Sequence, residues 1–236
     1  MASLRQLAAC IGLPATFAVV RDFFGYVTGH PKQLSLLTQA RLLQGKHIHL
    51  NLIKVGVGSN INQDLDAGLQ FMRDTYATVQ LGIGRIKRFA LPDPEATIHG
   101  TLESDDEVDA LINEWSVHND GIDLFLVGTV SGKGIGKTWV PGSCDKDDTK
   151  DNPSGSTVAV GETFALLGTV PGLTGYTLAH EIGHFLGLDA RFSGNHHTDP
   201  SNLMAATNPV PIPPVGKLEA VQGKKMRGHC SVKPGC

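Results

Sequence analysis

Residues 180 to 184 read His-Glu-Ile-Gly-His, and this stretch constrains the chain more than any other. On an α-helix, residues four apart lie one turn above each other on the same face, so His180 and His184 can direct two imidazoles at one point. Zn²⁺ binds neutral imidazole nitrogen, and a catalytic zinc site has three protein ligands and leaves a position for water. Glu181 follows the first histidine and can act as general base toward that water. The motif therefore predicts two ligands of a zinc site together with its base.

The residues around this motif predict a helix with one side packed in the core. Apolar residues recur at four-residue spacing, roughly opposite the two histidines: Leu178, Ile182 and Leu186. Such a stripe is expected to be buried, which leaves the histidines facing a cleft. Gly187 is a natural helix end because glycine tolerates positive φ, and Thr174 or Thr177 can cap the helix start.

The stretch from 174 to 204 resembles the metzincin metalloproteases, whose motif HExxHxxG leads to a third zinc ligand and then to a methionine turn. The matching residues are His180, Glu181, His184 and Gly187. The segment ending at Met204 is similar to the methionine turn, which implies that this side chain packs under the site without binding the metal. The resemblance also implies an α+β fold: an α/β upper lobe with a twisted mixed sheet and the active-site helix, and a smaller, irregular C-terminal lobe.

The departure from the family lies at the third ligand. Three residues after the glycine of the motif the family has His or Asp, whereas this chain has Ala190. In matrixin-like members the third ligand lies about eight residues before the methionine of the turn, and counting back from Met204 gives His196. We therefore predict a short insertion around 190–195 and take His196 as the third ligand. His197 is the first alternative; Asp189, or a site with only two protein ligands, is the second.

Hydrophobic periodicity predicts the elements around the active-site helix. Strands are predicted at 46–57, 81–91, 122–127, 136–141 and 157–160. Helices are predicted at 62–79 and after an N-cap at Ser104, and the resemblance to the metzincins implies a terminal helix at 215–228. This order is compatible with a metzincin upper lobe, in which the strand at 136–141 corresponds to the edge strand that pairs with an extended substrate. The proline-containing stretch up to residue 215 corresponds to a wall of the substrate pocket.

The domain organisation follows from the span of this resemblance, which covers roughly residues 46 to 230. We predict one catalytic domain over 46–236, with an upper lobe at 46–187 and a lower lobe at 188–236. Residues 1–45 are predicted to form an N-terminal segment that holds a signal or pro-like region plus a helix. Gln6, Gly12 and Pro14 interrupt its apolar run, so it departs from a regular signal peptide. We expect the chain to be secreted and monomeric.

Other residues with metal-binding or cross-linking chemistry have simpler interpretations. His47 and His49 could share a ligand on the polar face of the first strand, but solvent-facing histidines are favoured. Arg85, Lys87 and Arg88 are expected to form a solvated face. Calcium binding is predicted less strongly than a solvated acidic loop, because the spacing of the loop's aspartates departs from the EF-hand: Asp145, Asp147, Asp148 and Asp151.

The chain contains four cysteines, which are too scattered for a zinc finger: Cys10, Cys144, Cys230 and Cys236. They allow up to two disulfides and three pairings. We favour a bridge from Cys144 to Cys230 or Cys236, because both a long loop and a C-terminal tail gain from being tied down.

Charge and hydropathy exclude other classes of function. The formal net charge is −3, and no basic run interleaved with aromatic residues is present, so a nucleic-acid partner is not expected. No stretch approaches the 18 or more apolar residues needed to cross a bilayer.

The resemblance implies a zinc-dependent endopeptidase that acts on protein or peptide substrates. In this interpretation His180, His184 and His196 hold Zn²⁺, and Glu181 takes a proton from the attacking water and delivers it to the leaving amine. The main alternative is a non-catalytic zinc-binding or interaction protein that keeps the fold. Ala190 favours this alternative and the intact Glu181 opposes it. A hydrolase acting on a small-molecule amide is a weaker third candidate.

Overall fold

The computed structural model describes residues 42–43, 45–58, 61–130, 135–147, 153–160, 171–189, 196–205 and 216–235. The predicted N-terminal segment, with Cys10, lies almost entirely outside the described residues. The predicted insertion at 190–195, the proline-containing stretch at 206–215, two of the loop aspartates and Cys236 also lie outside them. The predicted domain and lobe boundaries therefore stay predictions.

A five-stranded sheet forms the centre of the fold. Its strands are β1 (His47–Lys54), β2 (Gly82–Ala90), β4 (Ile122–Val127), β6 (Gly136–Thr138) and β7 (Gly155–Ala159). They lie in the order β2, β1, β4, β7, β6. Neighbours are parallel except at β6, which pairs antiparallel with β7. The sheet is therefore mixed, and β6 is one of its two edge strands, as predicted. A separate small sheet pairs β3 (Thr101–Leu102) with β5 (Thr129–Val130).

Helices cover both faces of this sheet. They are α1 (Asn62–Ala77), α2 (Asp93–His99), α3 (Asp105–Trp115), α4 (Pro171–Phe185) and α5 (Ala220–Arg227). Side chains of α1 and α4 share one buried cluster with Leu124 and Leu126 of β4. Side chains of α3 share another with Phe125 and Val127 of the same strand. Because β4 is covered on both faces, its continuous apolar run is explained. Among the described helices, none is long and apolar enough to span a membrane.

The apolar stripes predicted on two helices are buried against each other. They comprise Leu65, Leu69, Met72 and Tyr76 on α1, and Leu178, Ile182 and Leu186 beside or within α4. The Tyr76 hydroxyl donates a hydrogen bond of 2.7 Å to the Ala179 carbonyl and so links the two helices. This packing fixes the rotation of α4, and with it the side on which its histidines emerge.

The start of the active-site helix was predicted wrongly. Helix α4 begins at Pro171, so Thr174 and Thr177 lie inside it and neither caps it. The Thr177 hydroxyl instead donates to the Leu173 carbonyl one turn earlier, at 3.0 Å. The predicted cap at Ser104 is confirmed, because its hydroxyl accepts the backbone N–H of Glu107 at 3.2 Å.

The prediction that His47 and His49 face solvent is wrong. Both are buried, with their ring centroids 5.0 Å apart. The His49 Nδ1 atom accepts the backbone N–H of Arg85 at 3.0 Å, and burial lowers the pKa of His49 to about 4. The backbone of Lys233, almost two hundred residues later, pairs with that of His47. Such a distant covering segment leaves no signal in the local pattern of β1.

The basic residues of β2 are also less exposed than predicted. Arg85 and Arg88 are partly buried and form ion pairs with Asp120 and Asp66, respectively. The solvated face predicted for this strand is therefore a row of charge pairs with neighbouring elements.

A disulfide joins Cys144 to Cys230, one of the two pairings favoured from the sequence. It connects the loop that follows β6 with the segment that follows α5. The same loop is also anchored by Lys146, whose Nζ atom lies 2.7 Å from an oxygen of the fully buried Asp123. The edge strand is thus held from its C-terminal side by a covalent and an ionic link.

Opening this disulfide is expected to lower the free energy of unfolding by about 2–4 kcal/mol, because a bridge across 86 residues restricts the unfolded chain. The measurement is urea denaturation of Cys144→Ser, Cys230→Ser and the double variant, with the midpoint and slope compared with wild type. Each single variant should lose as much as the double variant, since one serine already opens the bridge. Losses that add up across the two single variants would contradict this account.

Candidate metal centre

Helix α4 places His180 and His184 one turn apart on the side opposite its buried stripe. Their ring centroids lie 4.7 Å apart with the rings nearly perpendicular. The helix ends just after them at Phe185, and Gly187, two residues later, has a φ of 90°, as predicted for a glycine at the helix end. This turn redirects the chain so that the carbonyl of Leu188 lies close to the ring of His184.

His196 completes a cluster with these two residues, although it comes from a different part of the chain. Its ring centroid lies 5.2 Å from that of His180 and 5.5 Å from that of His184. One nitrogen from each of the three rings lies within 4.8 Å of the others. We refer to His180, His184 and His196 as the histidine cluster. Among the described residues, no other His, Cys, Asp or Glu joins it.

Backbone carbonyls fix the orientation of two rings in the histidine cluster. The Nδ1 atom of His180 lies 2.7 Å from the Leu203 carbonyl, and that of His184 lies 2.7 Å from the Leu188 carbonyl. A carbonyl can only accept, so each Nδ1 carries the proton and each Nε2 keeps its lone pair. Outer partners of this kind set the tautomer and orientation of metal-binding histidines.

The electrostatics of the histidine cluster favour neutral imidazoles. Burial, together with the neighbouring histidines, lowers the pKa of His180 to about 3 and that of His184 to about 4. Burial also lowers the pKa of His196. Neutral imidazole is the form that binds a metal ion. Three neutral nitrogen donors therefore fit the requirements of a zinc site.

The two alternative third ligands, His197 and Asp189, contact other residues. His197 points its Nε2 atom toward Glu219, at 3.4 Å, and its Nδ1 atom accepts the backbone N–H of Asp199 at 3.0 Å. The carboxylate of Asp189 accepts a hydrogen bond of 2.8 Å from Lys225. Of the three candidates, the structure thus places only His196 against His180 and His184.

Met204 lies beneath the helix, where the methionine turn was predicted. It is buried, and a Cβ atom added to Gly183 would come within 2.7 Å of its sulfur. Glycine at 183 is therefore what allows the turn to approach the helix so closely. The side chain of Asn202 accepts the backbone N–H of Met204 at 2.9 Å and exchanges two hydrogen bonds of 3.0 Å with Gln222 on α5.

Glu181 lies against the edge strand, a contact that sequence reasoning did not find. The Thr138 hydroxyl donates a hydrogen bond of 2.6 Å to a carboxylate oxygen of Glu181. A Cβ atom at Gly136 would lie 2.5 Å from the other oxygen, so only glycine lets β6 approach this closely. Burial raises the pKa of Glu181 to about 7, partly offset by the Thr138 hydrogen bond. The glycine two residues before Thr138 in a predicted edge strand was the available signal.

The acidic loop does not form a metal cluster in its described part. Asp145 and Asp147 are exposed, and a carboxylate oxygen of Asp147 lies 3.4 Å from a ring nitrogen of His118. Asp148 and Asp151 lie outside the described residues, so the calcium prediction stays a prediction.

Comparison with known proteins finds solved structures that are similar to this chain. No family model and no curated protein match this chain. Metalloproteinase-II from Bacteroides fragilis is similar in structure, with 17% sequence identity and a TM-score of 0.51 over 79% of this chain and 53% of that one. Archaemetzincin from Methanopyrus kandleri is similar with 17% identity and a TM-score of 0.44 over 76% of this chain and 86% of that one. A chain in a chaperone–substrate complex has 14% identity and a TM-score of 0.47, covering 70% of this chain and 29% of that one.

The similarity to the Bacteroides fragilis metalloproteinase defines a class of fold. This chain has a metzincin-like fold, with a mixed five-stranded sheet covered by helices, and the three residues of its histidine cluster could hold a metal ion. The predicted fold class is confirmed. The chain spans about half the length of the Bacteroides fragilis protein.

Proposed function

We propose that this chain is a zinc-dependent endopeptidase. The observation that carries the proposal is the histidine cluster, whose three nitrogen donors lie within 4.8 Å of one another directly beside Glu181 on a metzincin-like fold. The buried, neutral imidazoles match the donor chemistry of a catalytic zinc site, which has three protein ligands.

In this proposal His180, His184 and His196 hold the zinc ion. Bound Zn²⁺ would polarise the carbonyl of the scissile peptide and make a water molecule more acidic. The carbonyls of Leu203 and Leu188 hold the rings of His180 and His184 in place, so that both Nε2 atoms stay directed at one point. Met204 supports the helix from below through its contact with Gly183.

Glu181 is the proposed general base, and the edge strand positions it. The carboxylate takes a proton from the attacking water and returns it to the leaving amine. The Thr138 hydroxyl holds one carboxylate oxygen, and the other oxygen is the proposed site of proton exchange. Burial keeps the Glu181 carboxylate out of bulk water, in a site where a proton can be held for transfer to the substrate.

An extended peptide is the substrate class that the edge strand supports. Strand β6 pairs with β7 on one side only and is the last strand of the described sheet. Its outer edge can therefore accept the backbone of an extended chain, and main-chain hydrogen bonds of this kind bind peptides with little dependence on sequence. This edge lies next to Glu181, which favours a peptide substrate over a small amide.

The proposal is tested by cleavage of unfolded casein by the purified chain. We expect cleavage that 1,10-phenanthroline abolishes and that added Zn²⁺ restores. Cleavage unaffected by the chelator would contradict the proposal. One equivalent of bound zinc without cleavage of any unfolded protein would favour the non-catalytic alternative.

Thr138→Val is expected to lower kcat by about 10- to 100-fold, because a hydrogen bond to a charged group contributes about 1.5–3 kcal/mol. The amount of bound zinc and the KM should change little, since the hydrogen bond of the threonine goes to Glu181 and not to the histidine cluster. The measurement is steady-state cleavage of a fluorogenic peptide, with zinc content determined on the same samples. Thr138→Ser keeps the hydroxyl and is the matched control. Equal impairment of the valine and serine variants would contradict a positioning role.

A further inference from the structure

A second group of metal-binding side chains lies where the loop after β6 meets the segment after α5. Cys144, His229 and Cys230 place one donor atom each within 4.8 Å of the others. The imidazole Nδ1 of His229 lies 3.8 Å from the sulfur of Cys144 and 4.0 Å from that of Cys230. None of these residues belongs to the histidine cluster or to the proposed reaction. We refer to this group as the cysteine cluster.

The imidazole of the cysteine cluster is held in a fixed orientation. Its Nε2 atom lies 3.2 Å from the Gly142 carbonyl, so Nε2 carries the proton and Nδ1 is the acceptor. Nδ1 accepts the backbone N–H of Ser231 at 3.3 Å, a bond that an incoming metal ion would replace. The ring packs against Phe185, with centroids 5.3 Å apart, and Gly142 is itself bonded to the Phe185 carbonyl at 2.9 Å. Burial lowers the pKa of His229, so the ring is neutral. A carbonyl on the far nitrogen is the arrangement that supports metal-binding histidines.

The two sulfurs are bonded to each other in the structure, so they become ligands only after reduction. A dithiol reductant would cleave the bond by exchange: the disulfide accepts two electrons and two protons, and the reductant leaves as its own disulfide. The resulting thiols lose their protons when a metal ion binds. In a tetrahedral zinc site with sulfur at about 2.3 Å, two thiolate sulfurs lie about 3.8 Å apart. The imidazole Nδ1 atom already lies 3.8 and 4.0 Å from the two sulfurs, which is close to this spacing of donor atoms.

We propose that the reduced chain has a second metal site, formed by Cys144, His229 and Cys230, for a thiophilic divalent ion such as Zn²⁺. Two thiolates and one neutral imidazole are a donor set that suits zinc and leaves one position for water. The ion would link the same two segments as the disulfide, namely the loop after β6 and the segment after α5. The anchor of the edge strand is thereby kept in both redox states.

Cobalt binding tests this proposal, because thiolate ligands give Co²⁺ a near-ultraviolet charge-transfer absorption that imidazoles alone do not give. The full chain carries Cys10→Ser and Cys236→Ser, so that only Cys144 and Cys230 can contribute thiolates. Phosphine-reduced and oxidised samples are titrated with Co²⁺ after removal of the reductant. We expect one equivalent without the thiolate absorption in the oxidised chain. We expect a second equivalent with that absorption in the reduced chain.

Variants assign the second equivalent to individual residues. His229→Ala should weaken binding of the second Co²⁺ equivalent by about 10- to 100-fold or more. Loss of an outer hydrogen-bond partner of a ligand already has an effect of this size, and here a direct ligand is removed. His118→Ala is the matched control, because His118 is an exposed histidine that contacts Asp147 and lies outside the cluster. His184→Ala should abolish the first equivalent and leave the second unchanged.

Several results would overturn the proposal. One is a reduced chain that binds a single equivalent; another is a thiolate absorption that persists with unchanged affinity in His229→Ala. If reduction unfolds the chain, as judged by circular dichroism, added Zn²⁺ should restore the folded spectrum, and failure to do so would also refute the site. If His229→Ala does not fold when oxidised, His229→Gln takes its place.

Discussion

Glu181→Gln is expected to lower the rate of peptide hydrolysis by about 10²- to 10⁴-fold, the contribution typical of a general base. The amide keeps the size of the carboxylate and can still accept the Thr138 hydrogen bond, so the fold and the edge-strand contact are preserved. It cannot take the proton from water. The measurement is kcat/KM for a fluorogenic peptide, with bound zinc determined on the same preparation.

Zinc content separates loss of the base from loss of the metal. Glu181 makes no contact with the ring nitrogens that define the histidine cluster, so Glu181→Gln should retain one equivalent of zinc. Glu107→Gln, on the exposed first turn of α3, is the matched control and should cleave at the wild-type rate. Equal cleavage by wild type and Glu181→Gln would remove this residue from the mechanism and leave the endopeptidase proposal without its base.

Much of the fold was predictable because the burial of each element is recorded in its own periodicity. The alternation of Ile48, Leu50 and Leu52 predicted which face of β1 is buried in the core. The apolar stripe of α4, repeated every four residues, predicted that its histidines lie on the opposite side of the helix. The buried polar face of β1 was not predictable. Its covering segment lies at Lys233, and no local pattern encodes a contact over that separation.

The candidate site was predictable only where its geometry is local. His180 and His184 are related by one helical turn, so their spacing alone determines that they meet. The contact between Thr138 and Glu181 depends on how closely β6 approaches α4. Glycine at 136 permits that approach, but a glycine in the sequence does not indicate which residue will contact it. Residue types showed which chemistry was available, while tertiary packing decided which groups meet.

The choice between His196 and His197 illustrates this limit and has a physical explanation. The backbone of His197 bridges to Ala205, and its N–H donates to the Met204 carbonyl at 2.6 Å. His197 pairs with the methionine turn and faces Glu219, whereas its neighbour His196 lies beside the active-site helix. The register of one backbone bridge thus selects between two adjacent histidines.

His196→Ala is expected to weaken zinc binding by more than the 10- to 100-fold typical of losing an outer partner, because a direct donor is removed. His197→Ala is the matched control. It loses only a partly exposed contact with Glu219, so zinc affinity and cleavage should stay within about twofold of wild type. The measurement is competition for zinc with a chromogenic chelator, together with peptide cleavage at saturating zinc.

The two variants distinguish the three candidate ligands, because each candidate ligand predicts a different pattern of zinc binding in the two variants. Weak binding in His197→Ala with normal binding in His196→Ala would move the third ligand by one residue and require the bridge to Ala205 to break. Normal binding in both would move it to Asp189, and Asp189→Asn would then have to release zinc as well as the ion pair with Lys225. Only selective loss in His196→Ala agrees with three imidazoles converging from α4 and the segment before the methionine turn.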